Sequence, residues 1–294
     1  ICVGSTTAAM DEIERAFDLH AETGSLQSGF DPFPSWSFDG LVRALRGLTG
    51  LEGPAAVVSN ACASSGKAFA SAKRWLDAGV VDAVLVGGAD SLCQTTLRGF
   101  RALGLLSEEP SRPFSRERRG INIGEGAAFA LVERDGGGPR LLGAGESADA
   151  HHMTTPDPEG RGAQRAMEAA LANARVSASD VDYVNAHGTG TPFNDAMEAR
   201  AIRATLGPHA DPIVVSTKGY VGHTLGAAGA IEAVFVLESL KNGWTPASAG
   251  AEPLDPEIGL NVPAAVCEVD LRVALSNSFA FGGSNVSVVF GAPE

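Results

Sequence analysis

Short β-branched runs alternating with longer Ala-rich segments constrain this chain more than any other feature. The runs at 55–59, 83–86, 127–132, 181–185, 213–216, 273–276 and 286–290 are mostly apolar, as strands buried on both faces must be. The spacing predicts helices over 65–78, 163–174, 195–206 and 225–241, the last stopped by Asn242-Gly243. The expected class is therefore α/β. An internal echo adds a topology. Val57-Val58-Ser59 ends one run before a loop and a small-residue helix, and Val214-Val215-Ser216 repeats the sequence of events in the second half. Each half then delivers polar residues from a buried strand to a helix start. The stretch Gly226-Ala227-Ala228-Gly229-Ala230 admits another backbone at close range, which suggests a central helix buried on all sides. The expected division is 1–140 and 141–294 with no clear linker, and the polar stretch 151–162 reads as a surface loop near a site.

Composition narrows the function. With 44% hydrophobic and 19% charged residues among 294, the chain can bury a sizeable core. Its 22 Lys and Arg against 35 Asp and Glu, a net charge of −13, argue against nucleic-acid binding, which needs clustered cations. The most apolar stretches, 80–86 and 227–240, are short or carry Asp82, Glu232 and Glu238, so no membrane insertion is expected. Cys2, Cys62, Cys93 and Cys267 form no CxxC pair, which fits neither a zinc site nor a disulfide framework. A reducing cytoplasm is the expected compartment and no metal is expected. The chain opens in the apolar run Ile1-Cys2-Val3-Gly4, without an initiator Met or a basic leader.

Chemistry gathers at strand ends. Ala61-Cys62-Ala63-Ser64-Ser65-Gly66 turns from a strand into a helix, where unpaired amides and the positive end of the dipole favour a thiolate nucleophile. His187 and His223 follow strands at corresponding places in the two halves, and Lys218 stands five residues before the second.

Four segments carry a family resemblance: Asn-Ala-Cys-Ala-Ser-Ser at 60–65, Asn-Ala-His-Gly-Thr-Gly-Thr-Pro at 185–192, Ser-Thr-Lys-Gly-Tyr-Val-Gly-His-Thr-Leu-Gly-Ala-Ala-Gly at 216–229, and Asn-Ser-Phe-Ala-Phe-Gly-Gly-Ser-Asn at 277–285. In this order they resemble the signatures of β-ketoacyl-acyl carrier protein synthases of the KAS I/II type, and the likeness spans essentially the whole chain. The resemblance implies the thiolase fold, two pseudo-symmetric α/β halves in a layered α-β-α-β-α sandwich. It implies a decarboxylative condensation of a Cys-bound acyl group with malonyl-acyl carrier protein, in fatty acid or in polyketide or polyene synthesis. No prosthetic group is implied; substrates ride on the phosphopantetheine of an acyl carrier protein. The implied assembly is a homodimer or a heterodimer with a chain-length factor.

Carried over position by position, Cys62 would be acylated and His187 and His223 would bind the malonyl thioester carbonyl. Lys218 would be the active-site lysine with Glu198 its charged partner, and Phe281 would lend an oxyanion-hole amide beside that of Cys62. Thr154, Thr189 and Thr191 would contact the phosphopantetheine arm, while Phe279 to Gly283, including Gly282, would gate the acyl pocket. Thr7 would close the bottom of that pocket, where the family often has a larger apolar residue, and Ala280 stands where it usually has Gly. The family's first strand and helices have no counterpart ahead of Ile1, so the functional protein is expected to carry an additional N-terminal segment.

Two competing readings exist. A thiolase-type acyltransferase would need a second catalytic Cys near the C-terminus, and Cys267 lies outside the Phe-Gly-Gly loop; a non-catalytic chain-length factor would typically lack the nucleophile that Cys62 supplies. Gly222, Gly226 and Gly229 lack the rest of a phosphate loop. His151-His152 has no third ligand nearby and reads as pocket rim. Arg98, Arg101, Arg112, Arg116, Arg118 and Arg119 read either as structural ion-pair partners or as a docking patch for an acidic carrier protein.

Overall fold

The computed structural model describes residues 1–28, 30–31 and 37–294. Two mixed sheets organise it. The first is built from β1 (Cys2–Gly4), β2 (Ala56–Val58), β3 (Ala83–Asp90) and β4 (Gly126–Glu133) in the order β2-β1-β3-β4. The second uses β5 (Arg140–Ala148), β6 (Tyr183–Asn185), β7 (Ile213–Val215), β10 (Val273–Ala280) and β11 (Ser284–Gly291) in the order β5-β11-β10-β6-β7. A small ribbon of β8 (Trp244–Thr245) and β9 (Cys267–Glu268) lies apart. The sheets share one plan. In each, an edge strand and a long strand flank a short parallel one, and the long strand pairs antiparallel with its successor.

Between the sheets lie the two helices of the echo, α3 (Ser64–Asp77) and α8 (Ala228–Asn242). One apolar cluster joins Phe69, Ala70 and Ala72 of α3 to Ala230, Ala233 and Val236 of α8 and to Val84, Val86, Val286 and Val288 of the sheets. The helices touch because their facing residues are small: a Cβ built on Gly229 would lie 2.8 Å from the backbone nitrogen of Gly66. Outside the second sheet α5 (Arg161–Ala174) and α6 (Pro192–Leu206) cover Val184, Val214, Leu275 and Val289. Outside the first, α2 (Asp39–Thr49) sets Val42 and Leu45 against Ile1 and Val3. The result is the five-layer sandwich of the thiolase fold.

The elements depart from expectation where composition masks pattern. Gly143 and Gly145 dilute the β signal of β5, yet Gly145 has a packing cause: a Cβ there would meet backbone atoms of Ala166 and Ala170 in α5 at 2.2 Å. Helices α1 (Met10–Thr23), α2 and α4 (Gln94–Ala102) also escape an Ala-rich search. They are charged surface helices, burying only Ala16 in α1, Val42 and Leu45 in α2, and nothing in α4. Strands 83–86, 273–276 and 286–290 prove longer, ending at Asp90, Ala280 and Gly291. No helix among the described residues is long and apolar enough to cross a membrane.

Candidate active site

The nucleophile candidate stands on a strained turn. After β2 the chain passes through Ala61 at φ 44°, in the left-handed region that disfavours a Cβ, and enters α3 at Ser64. The Ser64 hydroxyl holds this turn, accepting from the Asn60 amide at 2.7 Å and donating to the Ala61 carbonyl at 2.6 Å. Cys62 is thereby buried at the helix start. The expectation of a stabilised thiolate meets an opposing effect, burial. Burial pushes the thiol up to about 12, although the Lys218 charge pulls the other way. Desolvation outweighs the helix end.

His187 follows β6 and sits in a loop pinned from below. Glu198 on α6, fully buried, accepts from the backbone N–H groups of His187 at 2.8 Å and Gly188 at 2.7 Å, and from the Asn277 amide at 3.2 Å. Burial raises its carboxyl to about 7 against those donors. Glu198 is therefore not the partner of Lys218. That role falls to Glu232, one of the carboxylates on the apolar helix α8, which forms a buried ion pair with Lys218. The signal was present in the sequence: a carboxylate on an otherwise apolar central helix is buried and needs a cation. Position along the chain favoured Glu198, but its side chain turns back to its own loop.

Lys218, at the start of the short helix α7 (Lys218–Val221), also donates to the His187 carbonyl at 2.6 Å and lies 3.4 Å from His187 Nδ1. An ammonium facing Nδ1 leaves the ring proton on Nε2. His223 reaches the same state by another route, since the Leu225 amide donates to its Nδ1 at 3.3 Å. Both rings are held neutral, well below the usual histidine range, first by burial and then by the Lys218 charge. Their planes meet edge to face with centroids 5.3 Å apart, and His223 Nε2 lies 3.0 Å from Cys62 Sγ. One ligand atom from each of Cys62, His187 and His223 falls within 4.8 Å of the others.

All three line a cavity of about 460 Å³ together with Thr154, Thr189, Thr191, Phe279 and Phe281. The Thr189 and Thr191 hydroxyls lie 2.9 Å apart, and Phe281 stacks on Phe100 of α4 at 5.7 Å. Of the expected rim pair His152 lines the cavity, its Nδ1 accepting from the Thr154 and Thr155 amides, while His151 is exposed and off its wall. Two expected residues lie off the cavity wall. Thr7 turns its hydroxyl to Asp90 at 3.0 Å, and Gly282, at φ 83°, donates its amide to the Met153 carbonyl at 2.7 Å. Cys267 also lies elsewhere, in the β8–β9 ribbon. Of the arginines, Arg112 pairs with Glu117 and Arg118 with Asp255, while Arg98, Arg101, Arg116 and Arg119 are exposed and Arg119 reaches the cavity.

Known proteins resemble this chain along most of its length. The β-ketoacyl synthase N-terminal domain matches residues 40–136 and the β-ketoacyl synthase C-terminal domain matches residues 140–252. Nodulation protein E of Rhizobium meliloti is 37% identical over 98% of this chain and 74% of its own length. The 3-oxoacyl-[acyl-carrier-protein] synthase 2 of Vibrio harveyi is 35% identical over 99% of this chain and 74% of its own. Among solved structures, the ketosynthase in complex with its chain length factor from Xenorhabdus doucetiae superposes with a TM-score of 0.89 at 36% identity, covering 99% of this chain and 73% of that one. With both domains matched and relatives above 30% identity along nearly its whole length, the chain belongs to the β-ketoacyl synthase family and is an acyltransferase of that family.

Proposed function

We propose that Cys62 takes an acyl group from the phosphopantetheine thioester of an acyl carrier protein and passes it to the carbanion of a decarboxylated malonyl thioester. In loading, the Cys62 sulfur bonds the acyl carbon, the bond from that carbon to the pantetheine sulfur breaks, and the thiol proton leaves with the released carrier thiol. In condensation the bond to CO₂ breaks to give the carbanion, the carbanion bonds the acyl carbonyl carbon, and the bond from sulfur to that carbon breaks, the Cys62 sulfur taking up a proton from solvent. The observation that carries this reading is the pair of Nε2–H donors, on His187 and His223, turned to one cavity beside Cys62 Sγ. Two neutral N–H donors stabilise an enolate oxygen without first having to lose a proton. Burial and the charge of Lys218, itself paired with Glu232, keep both rings neutral, and Glu198 holds the His187 loop. The Cys62 and Phe281 amides are assigned to the oxyanion of acyl transfer, and Thr154, Thr189 and Thr191 to the pantetheine arm. The exposed Arg98, Arg101, Arg116 and Arg119 offer an acidic carrier a docking face on an otherwise acidic protein. Residues 1–140 supply the nucleophile and 141–294 the two imidazoles and the lysine. The working form is a cytoplasmic dimer, with a second copy or with a chain-length factor as in the Xenorhabdus complex.

The test separates the half reactions. Cys62→Ala abolishes acyl loading, with the adduct of the unsubstituted chain mapping to residue 62. His223→Ala loses about 10²-fold or more in CO₂ release from malonyl thioester, the usual cost of an oxyanion donor, and far less in loading. Equal losses in both steps overturn the assignment of the imidazoles.

A further inference from the structure

Behind the site lies a buried carboxylate that the proposed chemistry does not use. Asp90 ends β3, is 4% exposed, and pairs with no cation among the described residues. It is held entirely by neutral donors. Oδ1 accepts from the Ser5 hydroxyl at 2.7 Å, the Thr6 amide at 2.8 Å, the Thr7 amide at 2.9 Å and the Thr7 hydroxyl at 3.0 Å; Oδ2 accepts from the Gly226 amide at 2.6 Å. A carboxylate taken out of water without a counter-ion is costly unless such bonds replace its hydration, so this concentration of donors calls for a cause.

The donors connect Asp90 to both sides of the chemistry. Gly226 is three residues past His223, and its neighbour Leu225 is the residue whose amide donates to His223 Nδ1. Leu225 does so from φ 53°, a conformation a leucine avoids unless its surroundings impose it. The room is closed as well: a Cβ on Gly226 would lie 2.4 Å from Thr6 Oγ1 and 2.7 Å from Asp90 Oδ2. On the other side Thr6 donates its hydroxyl at 3.2 Å to the carbonyl of Ala61, the residue at φ 44° before Cys62. Ala8, at φ 49°, donates to the Ser5 hydroxyl. Three non-glycine residues in left-handed conformations thus surround one buried carboxylate, each within one or two hydrogen bonds of it.

From these bonds we infer that Asp90 is a positioning residue for the condensation: by holding the Gly226 amide it fixes the Leu225 turn, which keeps His223 in the tautomer that presents Nε2–H to Cys62 and the substrate oxygen. The inference rests on the enolate role proposed for His223, but the tautomer can be measured apart from it. In the ¹⁵N-histidine-labelled protein, multiple-bond ¹H–¹⁵N correlations distinguish the two neutral tautomers, and a His223→Gln spectrum identifies the His223 signals. The full chain is expected to show the Nε2–H pattern. In Asp90→Asn, whose amide cannot accept the same set of donors, the pattern shifts toward Nδ1–H or a mixture. CO₂ release then falls about 10²-fold at unchanged KM for malonyl thioester, the scale of an ångström-level misplacement, and acyl loading falls by much less. Asp90→Glu, which keeps the charge, lies between the two and retains mostly Nε2–H.

A folded Asp90→Asn with an unchanged His223 pattern overturns the inference whatever its rates. A changed pattern in a protein whose unsubstituted form does not decarboxylate malonyl thioester upholds the positioning and sinks the functional reading instead. If Asp90→Asn does not fold, Asp90→Glu decides: a partial tautomer shift with a matching partial loss of CO₂ release supports the inference, and wild-type values for both overturn it.

Discussion

Leu131 and Val289 occupy equivalent ladder positions in the two sheets. Leu131 pairs with Leu85 five residues before β3 ends, and Val289 pairs with Leu275 five residues before β10 ends. Yet Leu131 is 60% exposed and Val289 is fully buried. In the second half, β5 pairs along β11 and α5 packs across both, so that edge and that face are closed. In the first half no strand among the described residues pairs with the outer edge of β4. Equal backbone plans therefore do not imply equal burial. The halves also divide the labour at their strand ends. The loop after β1 holds Ser5, Thr6 and Thr7 around Asp90, whereas the loop after β6 delivers His187, and the segment after β7 delivers Lys218 and His223.

The largest expected effect tests this comparison directly. Val289→Lys puts an unpaired ammonium into a packed core and costs more than about 4 kcal/mol, or prevents folding, in denaturant unfolding. A loss under about 1 kcal/mol would mean that the covered face is loosely packed.

A middle-sized effect concerns the buried imidazoles of the second half. His223 is held below its ordinary pKa when folded, so below about pH 6.5 the unfolded chain takes up a proton that the folded site refuses. Its contribution is present above that pH and is lost on acidification. Between pH 6.5 and 5, unfolding measurements should show the unsubstituted protein losing up to about 1.4 kcal/mol per pH unit more than His223→Gln. Identical slopes would show that the ring protonates freely in the folded state.

The smallest effect is the counterpart of the first. Leu131→Lys changes stability by no more than about 0.5 kcal/mol, the ordinary range of a surface substitution. A loss above about 2 kcal/mol would show this face to be packed in solution and would erase the difference between the halves.

Much of the site was readable because its residues carry their context with them. Cys62 before a small-residue helix, and His187 and His223 after strands, announce strand-end chemistry from a few neighbours each. Pairing across space was not readable. Glu198 and Glu232 both sit on helices near Lys218 in the chain, and only the direction of each side chain decides that one caps the His187 loop and the other meets the ammonium. The effect of burial on the Cys62 thiol is illegible for a related reason, since a helix start is a local feature and burial is not.

The α/β alternation, the duplicated plan, the small-residue central helices and the candidate residues at strand ends were legible in the chain alone. These follow from periodicity, propensity and local motif, which act over a few residues. Tertiary structure alone decided that glycine-bearing β5 is a strand, because α5 presses against it at Gly145. It alone brought Ser5, Thr6, Thr7 and Gly226 to Asp90, and through the Leu225 turn fixed which nitrogen of His223 faces Cys62. The physical reason is the same in each case: hydrogen bonds and close contacts form between atoms that meet only after the sheets have closed around α3 and α8.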